Sequence, residues 1–173
     1  MMRQTSFTAA VACAMAMLIF LPAAADMPPP QSALTGNMSA MQFLIGTWSC
    51  TVKLAASQDQ PARSEQGVVT YTMVPGNAIH SHVSASDYAS DYYTGYVDEA
   101  KIYWINTIDA YGSVSSETST DGKVFTGSNT GGGTTSKIRD TFTHPTPDTT
   151  RDLQEVESNG AWQTATDASC TRS

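Results

Sequence analysis

Basic residues are scarce in this sequence of 173 residues, and so is leucine. The chain carries nine Lys and Arg against sixteen Asp and Glu, which gives a net charge of −7. Because no Lys or Arg cluster occurs, a nucleic-acid partner held by a basic surface is excluded. Past residue 25 there are four leucines, whereas the strand and turn formers Thr, Ser, Val and Tyr abound. This composition excludes an all-helical domain and predicts an all-β one.

Long hydrophobic runs are also lacking, with one exception near the amino terminus. Ala9–Leu21 is an apolar run of thirteen residues, too short to cross ~30 Å of hydrocarbon as a helix. Arg3 precedes it, and Ala23–Ala25 supplies the small residues that a signal peptidase requires. The pattern predicts a signal peptide over residues 1–25, cleavage before Asp26, and export to the periplasm or the medium. No membrane segment is then expected in the mature chain.

The rest of the chain is punctuated by turn residues. A proline run makes residues 26–37 an irregular leader, and residues 38–173 are predicted to form one domain. Ser39–Ile45 combines a Ser cap with an apolar face, which predicts a short helix. Asp121-Gly122 and Asn159-Gly160 are typical of two-residue hairpin turns. With softer breaks at short intervals, they predict about ten strands joined as hairpins.

Alternation along these strands assigns their faces. One face of the first strand carries Trp48, Cys50, Val52 and Leu54. The last strand places Trp162, Thr164, Thr166, Ala168 and Cys170 together, and a middle strand does so with Ile102, Trp104, Asn106 and Ile108. Inward faces that mix aliphatic, Trp, Thr and Asn side chains suit the lining of a barrel. We therefore expect a closed antiparallel up-and-down barrel of eight to ten strands, with the short helix covering one end.

Cys50 and Cys170 test this architecture. In an up-and-down barrel with an even number of strands, the start of the first strand lies beside the end of the last. Alternation turns both cysteines to the same side, and an exported compartment permits their oxidation. The sequence therefore predicts a Cys50–Cys170 disulfide at the closing seam.

The segment Phe43-Leu44-Ile45-Gly46-Thr47-Trp48, following a short helix, resembles the Gly-x-Trp motif of the calycin superfamily. That superfamily includes lipocalins, fatty-acid-binding proteins and nitrobindin-type barrels. The stretches 103–112 and 119–123 are similar to small exported bacterial lipocalin-like barrels of uncharacterised function. The resemblance covers roughly residues 38–172. It implies a fold and not a reaction, because that family carries no established catalytic set.

Histidines raise the questions of metal and haem. His80 and His82 share one face of a strand, with Ile79 and Val83 on the other, so we expect both rings to face solvent and predict no metal site. Nitrobindin-type barrels bind haem through a strand histidine. The segment after Gly46 lacks their further glycines, and no histidine is expected in the last three strands, His144 being assigned to a Pro-rich turn. No cofactor is therefore predicted, with haem at His80 or His82 left as the alternative.

Signals for catalysis are weak. A Gly-x-Ser-x-Gly elbow is absent, and the glycine-rich stretch 127–133 is interpreted as a flexible hairpin loop. The recognised carboxylates fall at the breaks between strands, where Asp favours turns.

Two hypotheses follow for the function. The first is a barrel that binds a small apolar or amphipathic ligand, lined by six residues: Trp48, Val52, Tyr92, Tyr96, Trp104 and Asn106. The second is an enzyme of unknown reaction on the same barrel, using Asn106 or the His80/His82 pair. The tyrosines near residue 92 serve either cross-strand packing or the cavity. We favour binding, because convergent titratable groups are not evident in the sequence.

Overall fold

A computed structural model describes residues 32–56 and 60–173. The predicted signal peptide, its cleavage site and the first half of the predicted leader lie outside these residues. Within them, no helix has the length and apolar character needed to span a membrane.

The described residues form ten antiparallel strands, each paired with its sequence neighbours. Their bounds are β1 Gly46–Leu54, β2 Arg63–Val74, β3 Ala78–Ala85, β4 Ala89–Val97, β5 Ile102–Asp109, β6 Val114–Ser119, β7 Val124–Gly131, β8 Thr134–Thr146, β9 Thr149–Ser158 and β10 Ala161–Arg172. β1 pairs with β10, which closes the sheet into a barrel. Asn159 and Gly160 both adopt positive φ in the β9–β10 turn, as an Asn-Gly hairpin turn requires. The predicted closed up-and-down barrel is confirmed.

The short helix is a 3₁₀ helix that spans Gly36–Leu44, so it begins earlier than the Ser39 expected from the sequence. Its residues Met38, Met41 and Leu44 are buried against β-strand side chains that include Ile79 and Phe125. The Tyr103 hydroxyl donates a hydrogen bond to the Asn37 carbonyl oxygen. The helix therefore closes one end of the barrel.

The seam between β1 and β10 is fastened by covalent and polar contacts. Cys50 lies directly opposite Cys170, their Cα atoms are 4.0 Å apart, and the two sulfurs form the predicted disulfide. Nearby, the Arg172 guanidinium lies 4.4 Å from the centre of the Trp48 ring and donates hydrogen bonds to the carbonyls of Phe43 and Ile45. The carboxyl end of β10 is thus bound to the carboxyl end of the 3₁₀ helix.

Two predicted face assignments are wrong, each for a local reason. The pairing of β10 with β9 shifts between Thr164 and Thr166, so that alternation changes phase there. Thr166, like Ala168 and Cys170, lies in the barrel wall facing the interior. Trp162, on the other side of the irregularity, packs outside under the Arg139 guanidinium.

In β5 the assignment is inverted along the whole strand. Tyr103 and Ile105 are buried inside, whereas Asn106 and Ile108 are exposed outside. Trp104 is also on the outside, where its ring occupies the space that a side chain at Gly95 would fill. Both faces of β5 are apolar in sequence, and covering a strand glycine with an aromatic ring stabilises the outer one.

The glycine-rich stretch is a strand and a tight turn, not a flexible loop. Residues up to Gly131 belong to β7, and the turn itself is Gly132-Gly133. His144 is likewise not in a turn, because β8 continues to Thr146. Its ring stacks on Phe43 with 3.8 Å between ring centres.

Gly127 is required by close packing of β6 on β7. A Cβ atom there would lie 1.9 Å from the Ser116 carbonyl oxygen and 2.7 Å from the Glu117 Cα. Because both are backbone atoms, the strands must separate to accommodate it. We expect Gly127→Ala to lower the free energy of unfolding by roughly 1–3 kcal/mol or more, measured by urea denaturation. Gly132→Asn, in the open turn, is the control. Equal effects of the two substitutions would contradict this account.

The barrel interior as candidate functional site

The barrel encloses a cavity of about 800 Å³, within the ~300–1,000 Å³ usual for small-molecule sites. Much of its wall is apolar. The apolar side chains that line it include Leu44, Val52, Val69, Val83, Ile105, Phe125 and Phe142. Met41 and Leu44 of the 3₁₀ helix line one end. The interior is therefore large enough for a small organic molecule.

Three carboxyl side chains point inward from one side of this barrel. Glu117 comes from β6, Asp140 from β8 and Asp152 from β9. Glu117 is 2% exposed and Asp140 3% exposed, and Asp152 lines the cavity itself. No ion pair joins any of them to a basic side chain in the part of the chain that the structure describes.

Burial dominates the electrostatics of this carboxyl cluster. It raises the pKa of Glu117 to about 8, with the charge of Asp140 and a hydrogen bond to Asp140 adding to the effect. It raises the pKa of Asp140 to about 6, although hydrogen bonds from Glu117 and Gln154 oppose the rise. Because burial opposes the charge on both groups and the charge of Asp140 further opposes that of Glu117, the second negative charge forms less readily than the first. At neutral pH the pair therefore carries about one negative charge.

Asp152 differs from this pair. Burial raises its pKa well above the ordinary value, and the negative charges of Asp140, Glu117 and Asp167 raise it further. No hydrogen bond contributes to that shift, and its Oδ1 atom is enclosed without a hydrogen-bond partner in the described structure. Of these three carboxyl groups, Asp152 is thus the one that lines the cavity, and one of its oxygens has no hydrogen-bond partner.

Two tyrosines of the opposite wall also line the cavity. Burial raises the pKa of Tyr71, and the charge of Asp152 raises it further. Burial is also the main cause of the raised pKa of Tyr92, and the charge of Asp152 is a smaller contribution. Both hydroxyls therefore stay neutral, and the Asp152 charge acts on both side chains.

The residues predicted to line the site are divided by the structure. Val52 and Tyr92 line the cavity. Trp48 is fully buried, and its indole nitrogen donates a hydrogen bond to the Leu44 carbonyl oxygen, so it anchors the helix. Tyr96 faces inward but packs edge-on against Tyr103. The expected inward positions of Trp104 and Asn106 are wrong, because β5 turns its odd-numbered residues inward.

His80 and His82 lie on the outer wall, as their strand pattern predicts. His80 Nε2 is 2.8 Å and His82 Nδ1 3.0 Å from the same oxygen, Asp91 Oδ1. Across residues 32–56 and 60–173, no cluster of three or more His, Cys, Asp or Glu is arranged to hold a metal ion. The pair does not reach the interior, so it cannot act on a molecule bound there.

The interior carboxyl cluster is not evident from the sequence. In β6 hydrophobicity favours Val114 as the inward residue, but Val114 is half exposed and Ser115, Glu117 and Ser119 are buried. A signal existed in β9, where Thr150, Asp152 and Gln154 recur at every second position. It becomes decisive only when the register of β9 against β8 and β10 is known.

Convergent carboxyl groups, hydroxyls and an apolar wall define this site. Such an interior can solvate a polar group of a bound molecule while apolar surface covers the rest. These groups line the interior of a closed ten-stranded antiparallel barrel.

Comparison with known proteins supports this fold. The structure is similar to the crystal structure of Rv2717c from M. tuberculosis, with a TM-score of 0.61 and 13% sequence identity over 81% of this chain and 99% of that one. It is also similar to the S-type phycobiliprotein lyase CPES from Guillardia theta, with a TM-score of 0.51 and 14% identity over 79% and 94% of the respective chains. No protein-family model and no curated protein matches the sequence.

Proposed function

We propose that this protein is an exported binding barrel that holds a small amphipathic molecule in its interior. The observation that carries the proposal is the cavity of about 800 Å³ with a mainly apolar wall and a polar cluster at Asp152. A carrier needs such a wall to remove a ligand from water, and the polar groups orient it. The disulfide and the apolar amino-terminal run support export to an oxidising compartment.

Catalysis is the weaker alternative for the same interior. Glu117 and Asp140 have pKa values in the range of a general acid and base, but they do not line the cavity. Asn106 and the His80/His82 pair, the other candidates for catalysis, lie outside the barrel. His144 of β8 does line the cavity, contrary to the expectation that the last three strands hold no histidine, but its ring is stacked on Phe43. We assign no haem or metal to the interior, whose polar groups near Asp152 are oxygen and amide donors and acceptors.

The binding function is tested with Nile red, a neutral apolar dye. We expect saturable binding of one dye molecule, seen as a rise in its fluorescence. Ala168→Trp should weaken this binding at least tenfold, because residue 168 lines the cavity and the indole fills part of it.

Ser169→Trp is the matched control, because Ser169 follows Ala168 in β10 and is exposed on the outer face. It should leave the affinity unchanged. Equal affinities of the wild type and Ala168→Trp, or the absence of saturable binding, would disprove an interior site.

A further inference from the structure

The surroundings of Asp152 define what kind of polar group the cavity accepts. Asp152 stands opposite Phe142 of β8 and Ala168 of β10, and both of these neighbours line the cavity too. Its carboxyl group is therefore held between apolar side chains. Asp152 lines the cavity, while its Oδ1 atom is enclosed without a hydrogen-bond partner, which is unfavourable for a carboxylate that no cation neutralises.

The charges that face Asp152 are negative or absent. Glu117 of β6 and Asp140 of β8 approach it from inside the barrel, and Asp167 of β10, paired with Arg151 on the outer face, also acts on it. Tyr71 and Tyr92 face it from β2 and β4 as neutral hydroxyls.

Basic side chains that line the cavity do not neutralise the negative charge of the carboxyl cluster. Arg63, Lys123 and His144 are exposed, and none of them forms an ion pair with the carboxyl cluster in the described structure. Arg63 is paired with Glu65 instead. The interior around Asp152 is therefore electronegative.

Aromatic rings complete the surroundings. Tyr71, Tyr92, Phe125 and Phe142 line the same cavity. The faces of aromatic rings attract cations, and the attraction is stronger where water is excluded. An unpaired carboxyl group and four aromatic side chains in the same cavity wall are two independent features, and both favour a cation on an apolar body.

We propose that the natural ligand carries a basic nitrogen, protonated at neutral pH, which pairs with the Asp152 carboxylate while its apolar body fills the cavity. This inference rests on the proposed binding function and narrows its ligand class. A cation favours the ionised form of Asp152, whereas a neutral ligand leaves the carboxyl protonated and an anionic one is repelled by the neighbouring carboxyls.

Three probes with one aromatic body test the proposal: 1-naphthylmethylamine, 1-naphthalenemethanol and 1-naphthoate. We expect calorimetry at pH 7.5 to show the amine binding at least tenfold more tightly than the alcohol, and the carboxylate most weakly. Asp152→Asn should weaken amine binding about tenfold and leave alcohol binding unchanged. Asp98→Asn, the same change at an exposed turn, should alter neither affinity.

The pH dependence in the wild-type protein gives a second readout that needs no variant. Amine affinity should rise with pH as Asp152 ionises, because only the carboxylate attracts the cation. If the site instead uses protonated Asp152 to donate a hydrogen bond to a neutral ligand, the affinity should fall as the pH rises. That slope, or equal binding of the amine and the alcohol, overturns the basic-nitrogen proposal while interior binding stands. If neither the three probes nor Nile red binds, the proposed function fails as well.

Discussion

Replacing both Cys50 and Cys170 by alanine should lower the free energy of unfolding by about 4–5 kcal/mol. The bond joins residues 120 positions apart, so it removes a large loop entropy from the unfolded chain. It also joins the first strand to the last, at the one seam that hairpin connections do not hold. Urea denaturation followed by tryptophan fluorescence measures the loss.

Reduced wild-type protein is the control for this variant. Reduction should shift its unfolding midpoint as the double substitution does, and the variant itself should not respond to reductant. Far-UV circular dichroism of the native state should stay β-type in both. If the midpoint were the same with and without the bond, the disulfide would not stabilise the closed barrel.

Barrel closure could be predicted from the sequence because it depends on signals that survive local irregularity. Turn dipeptides such as Asn159-Gly160 mark the ends of strands by backbone conformation, whatever the strands carry. The cysteines then link the first strand to the last. With an even number of strands, the topology alone places the start of the first strand beside the end of the last. Neither signal requires that the phase of every strand be known.

The interior could not be predicted in the same way, because it depends on the phase of each strand. One shift between Thr164 and Thr166 moves Trp162 to the outer face. In β5, apolar residues on both faces leave hydrophobicity undecided, and packing of Trp104 over Gly95 settles the orientation. Val52 and Tyr92, which line the cavity, lie in strands without such conflicts.

The carboxyl cluster was hidden for a further physical reason. Hydrophobic patterning assumes that polar side chains face water, and Glu117 and Asp140 violate it inside the barrel. Sequences break local rules mostly at functional or strained positions. The inward acids are therefore found only when the register of β6, β8 and β9 is known.

Raising the pH from 5 to 8 should destabilise this protein, whereas most proteins are near their maximum stability in that range. Burial raises the pKa of Asp140 to about 6 and that of Glu117 to about 8 in the folded chain. A carboxyl with a higher pKa when folded binds more protons in the folded state. Folding is therefore weakened as the pH rises from the unfolded pKa, near 4, to the folded one.

The expected loss between pH 5 and pH 8 is on the order of 4 kcal/mol, at about 1.36 kcal/mol for each pKa unit. The carboxylates nearer the surface affect the free energy of unfolding only at lower pH. Hydrogen bonds lower the pKa values of Asp91, Asp121 and Asp167, and the stability they contribute is lost only as the pH falls through those lowered values. The maximum stability should therefore lie near pH 4–5.

Urea unfolding at pH 5, 6.5 and 8 measures this slope. The double substitution Glu117→Gln with Asp140→Asn should flatten it and make the protein more stable than wild type at pH 8, because no charge then remains to be buried at that pair. Glu99→Gln, at an exposed turn, should leave the slope unchanged. A wild-type stability that stays level or rises from pH 5 to pH 8 would mean that the interior carboxyls reach water in the folded protein. The electronegative cavity proposed for a basic ligand would then lose its physical basis.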